Sequence, residues 1–386
     1  MTDYGWTAHT DWHSRGLAAA VAAGGLDHVV TVSLDRVDGV GGTYVLPEIL
    51  DATIVMDEGW SPHTQAQIVA PIPELDVLTW LDPRRLVRAT VRVTYAPWPL
   101  TGVPVEFPWR LWVRSRRLSR GGDQDTMTLE LASAEAVLQD ASPWDTSYTY
   151  TASTAPRAAL DHLVAWASSS TCAVFTDGPD PAVSTLGAEV TVAPGDDMWA
   201  KAQDLSELAG GWLRSLDTQE LYWSARPDDW TTAHGDDELV TYDGGLILTV
   251  DATNSRDGWA DAIQVVSEWT DTAGVDHKVT GSARDLTIPA PHKTLTVRND
   301  VKSTTTANTR QAAALLRRMK SRGREVTLTT VGRYWQLVGD QVRLFHQSDP
   351  LNMERALVAR VEHRPLQGIT TLTVRDHPDE SANMGG

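Results

Sequence analysis

His9-Thr10-Asp11-Trp12-His13 places three metal-ligating side chains at alternate positions. On a strand alternate residues share a face, so these three could converge on a cation. Such a site wants further ligands and hydrogen-bonded support. Isolated triplets of this kind arise by chance, and no metal site is expected. Paired carboxylates stand at Asp196-Asp197, Asp228-Asp229 and Asp236-Asp237-Glu238. A glycosidase needs two carboxylates about 5–10 Å apart in a cleft, whereas adjacent acids in Gly- and Pro-flanked loops read as caps or solvated turns. Asp197 fits a helix cap that also compensates the helix dipole. The single cysteine, Cys172, excludes an internal disulfide and a multi-cysteine zinc site. Its neighbours Ala173, Val174 and Phe175 mark it as a buried small apolar group rather than a nucleophile. No Gly-x-Ser-x-Gly elbow, no phosphate-cradling Gly-Lys-Ser/Thr loop and no His-Glu-x-x-His occurs. The expectation is a protein with no catalytic, cofactor-binding or metal residues.

Charge and aromatics point to contact instead. The 386 residues carry 33 basic and 51 acidic side chains, a net charge of −18, which makes nucleic acid a poor partner for the surface as a whole. Against that background Arg310, Arg317, Arg318, Lys320 and Arg322 crowd one helical segment. Cations near a helix C-terminus suit the macrodipole, and a basic stripe on an acidic protein also suits an acidic patch on an identical neighbour. Trp98, Trp109, Trp144 and Trp230 stand beside prolines or acids, where core packing is the expected role of any single Trp and glycan stacking and subunit contact are the sharper alternatives. The candidate subunit-interface residues are Arg310, Arg317, Arg318, Arg322, Trp98 and Trp109.

The elements that must position these residues fall into three blocks. His28–Leu34, Thr43–Leu46, Ala52–Met56, Gln65–Val69 and Leu86–Tyr95 read as strands, and Val87–Tyr95 alternates apolar and polar throughout. A Pro-rich loop at 97–104 and a hairpin at 110–131 turning at Gly121-Gly122-Asp123 follow. The period then becomes helical. Pro156 fits a first turn capped by Ser153 or Thr154, ahead of a stripe of Leu160, Leu163, Val164 and Ala167. A second helix after Asp197 buries Trp199, Ala202, Leu205, Leu208 and Ala209, and Gly210-Gly211 stops it before a hairpin at 212–224. Strands resume at Leu246–Val250, Ala262–Trp269 and His277–Thr280. A helix capped by Asn308 follows, with Ala312, Leu315, Leu316 and Met319 as its buried stripe, and then strands at 324–331, 356–362 and 370–375. The N-terminus carries Asp3 and Asp11 before its Ala-rich stretch, so no secretory signal is expected.

One pattern recurs. Leu111-Trp112-Val113-Arg114-Ser115-Arg116 parallels Ala356-Leu357-Val358-Ala359-Arg360-Val361, and Thr126–Leu131 parallels Thr371–Asp376. The fold class is therefore mainly β with an α+β insertion: two related β-barrel domains flanking a small α+β module. The expected division is an N-terminal arm at 1–26, a first barrel at 27–148, the module at 149–237, a second barrel with helix 308–322 at 238–377, and a disordered tail at 378–386. Residues 86–131 and 334–376 are expected to superpose.

The run Asp197–Leu213, the helix Asn308–Arg322, Gly339-Asp340-Gln341-Val342-Arg343-Leu344 and the hairpin 356–375 together resemble the tail hub proteins of long-tailed bacteriophages. That family includes the T-even baseplate hub and the minor tail proteins of actinobacterial phages. The resemblance is one of order and pattern over about residues 28–377, without an invariant signature. It implies a homotrimer with two similar barrels per chain, located in the virion at the tail tip. Implied partners are a distal tail or tail tube protein, the tape measure protein, tip or receptor-binding proteins, and DNA only in transit through the channel. No cofactor is expected, since no cofactor-binding motif occurs. The chain lacks the long C-terminal peptidase or lysozyme extension of some relatives, so no wall-cleaving activity is expected. Alternatives from other classes are a host-surface carbohydrate-binding tail protein and a cell-wall hydrolase.

Overall fold

Alternation of apolar and polar side chains makes most of the strands, and it is cleanest at Val87–Tyr95, where every second residue is buried. The computed structural model describes residues 28–376, apart from 38–41, 96–104, 122–123, 177–180, 182, 216–219, 226–240, 243–246, 272, 301 and 347–348. The expected arm and tail, the triplet His9/Asp11/His13, the Pro-rich loop with Trp98, the turn at Gly122-Asp123, Trp230, and the acids at 228–229 and 236–238 lie outside the described residues.

The first unit comprises β1 (His28–Arg36), β2 (Thr43–Val45), β3 (Asp51–Asp57), β4 (Thr64–Pro71), α1 (Leu75–Trp80), β5 (Val87–Tyr95), β6 (Val105–Ser119) and β7 (Thr126–Ala132), and is followed by α2 (Glu135–Asp140), whose Leu138 is buried in the core of the middle module. The middle module holds β8 (Tyr148–Tyr150), α3 (Pro156–Ala167), β9 (Val174–Thr176), β10 (Val190–Val192), α4 (Met198–Leu208), β11 (Gly211–Arg214) and β12 (Leu221–Ala225). The second unit comprises β13 (Thr241–Tyr242), β14 (Ile247–Asn254), β18 (Arg324–Val331), β19 (Gln341–His346), β20 (Asp349–Arg364) and β21 (Ile369–Asp376). Between β14 and β18 it carries an insert of β15 (Ala262–Thr270), β16 (Asp276–Arg284), β17 (Thr294–Asn299) and α5 (Thr305–Lys320). The chain is thus mainly β, with an α+β module between two β-units.

The two units share one strand order. In the first, β3-β4-β7-β6-β5 are neighbours; in the second, β14-β18-β21-β20-β19 are. In each, the long strand is divided between two partners. β6 pairs with β5 up to Trp112 and with β7 from Trp112 onward, and β20 pairs with β19 up to Leu357 and with β21 from Ala356. Each long strand has a bulge at the changeover, where one residue is skipped in the pairing with the next strand: Arg114 between Val113 and Ser115 opposite β7, and Ala359 between Val358 and Arg360 opposite β21. A bulge bends a strand and strengthens its local twist, which is what a strand passing between two neighbours requires. The parallel read from sequence for the first hairpin strand therefore holds residue by residue. For the second strand it is two residues out. Val113 pairs with Leu131 and Val358 with Val374, so Leu131 matches Val374 rather than Asp376. Both choices keep the strand period of two, and only the partner strand distinguishes them.

The helices differ from expectation at their starts. Neither Ser153 nor Thr154 caps α3; the cap position is Ala155, with Pro156 as the first helical residue. Helix α5 begins three residues before Asn308. The Thr304 hydroxyl accepts from the Ala307 N–H at 3.2 Å and so caps it. Asn308 is fully buried and serves the insert instead: its Nδ2 donates to the Val279 carbonyl, and its Oδ1 accepts from the Ser267 and Ser303 hydroxyls. Asp197 is the cap expected for α4, its Oδ1 accepting from the Trp199 and Ala200 N–H groups at 2.8 and 3.1 Å. The α5 stripe packs as expected, with Ala312, Leu315, Leu316 and Met319 against Ile263 and Val265 of β15. Gly281 allows the helix close to β16, since a Cβ there would stand 2.2 Å from the Thr309 nitrogen.

The unit cores interlock. Tyr334 and Trp335, on the connection between β18 and β19, are buried in the core of the first unit, where the Tyr95 hydroxyl donates to the Gly332 carbonyl at 2.6 Å. Met56 of β3 is buried in the core of the second, beside Val361 and Trp212.

Candidate functional site: the seam between the two units

The seam is made by backbone first. β3 pairs antiparallel with the far half of β20, in the register Arg360↔Asp57, Val361↔Met56, Glu362↔Val55 and His363↔Ile54. The Glu58 N–H adds a bond to the carbonyl of Ala359, the bulge residue, at 2.9 Å. Freed from β19 beyond Leu357, β20 presents an open edge, and β3 closes it.

Charge locks the register. The Glu58 carboxylate is 9% exposed. Arg375 donates to it from Nε at 3.1 and 3.2 Å and from Nη2 at 3.0 Å, and Arg322 donates from Nη2 at 3.0 Å. Arg318 donates to the Glu58 carbonyl at 3.4 Å. Arg375 also donates to the Ser321 hydroxyl. Burial alone would raise the Glu58 pKa, but the guanidiniums of Arg375, Arg318 and Arg322 together outweigh it and hold the group at about 2. A carboxylate so held is no general base. Arg360 adds a contact to Asp57 at 3.3 Å, and its guanidinium lies 4.7 Å from the Trp60 ring centre.

Two buried imidazoles flank the seam. His63 Nδ1 lies 2.9 Å from Glu135 Oε1, which also accepts from the Ser215 N–H at 2.6 Å and so ties the first unit to the module. His363 is fully buried, with Nδ1 3.0 Å from the Thr370 hydroxyl and the Trp109 and Tyr334 rings at 5.3 and 5.5 Å. Burial pushes its pKa down to about 3. A cavity of about 240 Å³ beside the seam is lined by Glu58, Trp60, His63, Gln203, Glu207 and Arg318.

The residues singled out from sequence divide. Arg318 and Arg322 belong to the seam. Arg310 bridges α5 to the module, donating to the carbonyls of Leu186 and Leu208 at 3.4 and 2.8 Å. These three guanidiniums therefore bind within their own chain, and Arg317 is exposed. Trp109 is 1% exposed and packs in the first core, so a contact with another chain is corrected to core packing. Asp196 accepts from the Ala193 N–H beside Asp197 in the turn before α4, and Cys172 is buried, its thiol pushed up to about 11 by burial. Among the described residues, no group of three His, Cys, Asp or Glu could hold a metal ion. Sequence reasoning missed Glu58, His63, Glu135 and Arg375. Glu58 lies in an ordinary turn, Asp57-Glu58-Gly59, and its partners lie more than 250 residues away, as 58 and 375 differ by 317.

The second surface feature is aromatic. On the module, Tyr148 and His162 lie 4.5 Å apart and Trp166 lies 6.2 Å from His162, beside a groove of about 440 Å³. Trp144 is 93% exposed.

No protein-family model matches the chain, and no curated protein matches its sequence. Solved structures do match its fold. The 43 kDa tail protein of prophage MuSo2 from Shewanella oneidensis aligns with a TM-score of 0.61 at 14% identity, covering 91% of this chain and 99% of that one. A tail protein from Neisseria meningitidis MC58 aligns with a TM-score of 0.60 at 15% identity, covering 90% and 96%. Prophage tail protein gp18 from Listeria monocytogenes EGD-e aligns with a TM-score of 0.53 at 10% identity, covering 92% and 96%. Over nine-tenths of its length, the chain has the fold of these phage tail proteins.

Proposed function

We propose that the chain is a structural protein of a phage tail, acting at the tail tip as a homotrimeric hub without catalytic activity. Each chain contributes two equivalent β-units, and three chains alternate them into a ring of six around the DNA channel. One side of the ring meets the sixfold tail tube or distal tail ring and the tape measure protein. The other meets tip or receptor-binding proteins of threefold order. The observation that carries this reading is the duplication: two units with one strand order and one bulge position, joined edge to edge by β3 and β20. Units joined head to tail by the same two edges propagate until a rotation closes them. The test is the native mass of the intact chain. The expected value is three times the 42.2 kDa of one chain. A monomer at every concentration would sink the proposal.

The aromatic groove on the module favours a second reading, binding of host-surface carbohydrate. Tyr148, His162 and Trp166 offer ring faces of the kind that pack on sugars. Glycan-array binding by the full chain, lost on Trp166→Ala, is the expected result of that reading; silence on the array would remove it.

A further inference from the structure

The seam uses one edge from each unit, and nothing among the described residues pairs with their counterparts. Equivalences follow from the shared registers. Trp112 and Leu357 precede the matched bulges, so Ser115–Leu118 of β6 correspond to Arg360–His363 of β20. Leu131 and Val374 pair with Ala66 and Val326 respectively, whose far-side partners are Ile54 and Ala252. So Ala252–Ser255 correspond to Ile54–Asp57 of β3. The first unit's β3 closes on the second unit's β20. Among the described residues, no strand pairs with the β14 edge away from β18, nor with β6 at Ser115–Leu118 opposite β7.

We propose that β14 of one chain pairs with the far half of β6 in a second copy, in the register Ser255↔Ser115, Asn254↔Arg116, Thr253↔Arg117 and Ala252↔Leu118. This rests on the trimeric reading and specifies its interchain contact. Three features of the edges fit a second copy as the occupant. First, the side chains suit the pairing. In the seam, His363 and Ile54 meet and both are fully buried; their counterparts Leu118 and Ala252 are exposed in the single chain. Second, β14 keeps the alternation of a half-buried strand without its cover. Ala52 and Ile54 of β3 are at most 1% exposed, while Val250, in the place of Ala52, is 55% exposed. An open strand edge carrying exposed apolar side chains invites pairing with another chain. Third, charge is complementary on the outer face. Arg117 would stand opposite Thr253, whose neighbour across β14 is Glu325, and diagonal to Asp251. All three charged residues are exposed in one chain. Cross-strand and diagonal pairs of opposite charge support one register over another.

The test is a double variant, Leu118→Cys with Ala252→Cys, in a Cys172→Ala background. Cα atoms facing each other across an antiparallel pair are about 4.5–5.5 Å apart, within disulfide reach. Mild oxidation of the intact chain should give a reducible covalent trimer on denaturing gels, and neither single-cysteine variant should. Moving one cysteine two residues along, Leu118→Cys with Val250→Cys, should reduce the yield several-fold. Arg117→Glu, in the otherwise natural chain, sets three like charges together and should weaken assembly about tenfold by native mass titration. A native trimer that yields no disulfide in this register, and tolerates Arg117→Glu, would overturn the pairing while leaving the hub reading intact. A monomeric native mass would overturn both.

Discussion

Glu58→Ala lowers the stability of the chain by about 3–5 kcal/mol, the range found when one partner of a buried ion network is removed. The deletion strands three cations rather than freeing them. Arg375 is 5% exposed and Arg322 about a quarter exposed, so neither regains full hydration when its carboxylate is gone. Glu58→Gln keeps the volume and some hydrogen bonding but not the charge, and should lose most of the same energy. The depressed pKa gives an independent magnitude. Holding Glu58 at about 2 rather than 4.5 corresponds to roughly 3 kcal/mol at neutral pH, at 1.36 kcal/mol per pH unit. Urea denaturation reads the result as a fall in midpoint at constant slope. Two variants within 1 kcal/mol of the natural chain would show that the β3–β20 pairing stands without its charges.

Acid should weaken the fold in two stages. The unfolded chain takes up a proton at His363 below about pH 6.5, while the folded chain resists until about 3. Stability contributed by keeping this imidazole neutral is thus full above pH 6.5 and declines as pH falls, by up to about 1.4 kcal/mol per unit. Glu58 has the same sign in a lower window. Its stabilisation is full above 4.5 and is lost as pH falls toward 2. Chemical denaturation at stepped pH should give a midpoint that drops from pH 6.5 and drops more steeply below 4.5. His363→Gln should flatten the upper stage and leave the lower one. If the natural chain held a constant midpoint from pH 7 to 5, the buried neutral state of His363 would be refuted.

Local chemistry was readable from the sequence wherever a neighbour within a few residues decided the outcome. Val87–Tyr95 alternates because one face is wet, and Asp197 caps α4 through its own two following N–H groups. The α5 stripe and the repeated strand at 111–116 were legible for the same reason. Misreadings arose where a distant partner competes. Asn308 has the composition of a cap, but Val279, Ser267 and Ser303 claim its side chain. Trp109 stands beside Pro108 like a loop residue, yet Tyr334 and His363 arrive from the other unit to cover it. The seam was illegible throughout, since Glu58 acquires its meaning only from the register between β3 and β20.

The tight turn at 58–63 and the insert at 255–323 occupy the same gap, each joining the two corresponding strands of its unit. One gap holds a few residues; the other holds a three-stranded sheet with a sixteen-residue helix across it. Wherever units of the two kinds alternate, the sheet presents a uniform periodicity and the inserts present half of it. A partner resting on the strands would meet twice as many equivalent positions as one gripping the inserts. Rotational order would then be lowered by a difference in loop length alone, without any change in how the strands pair.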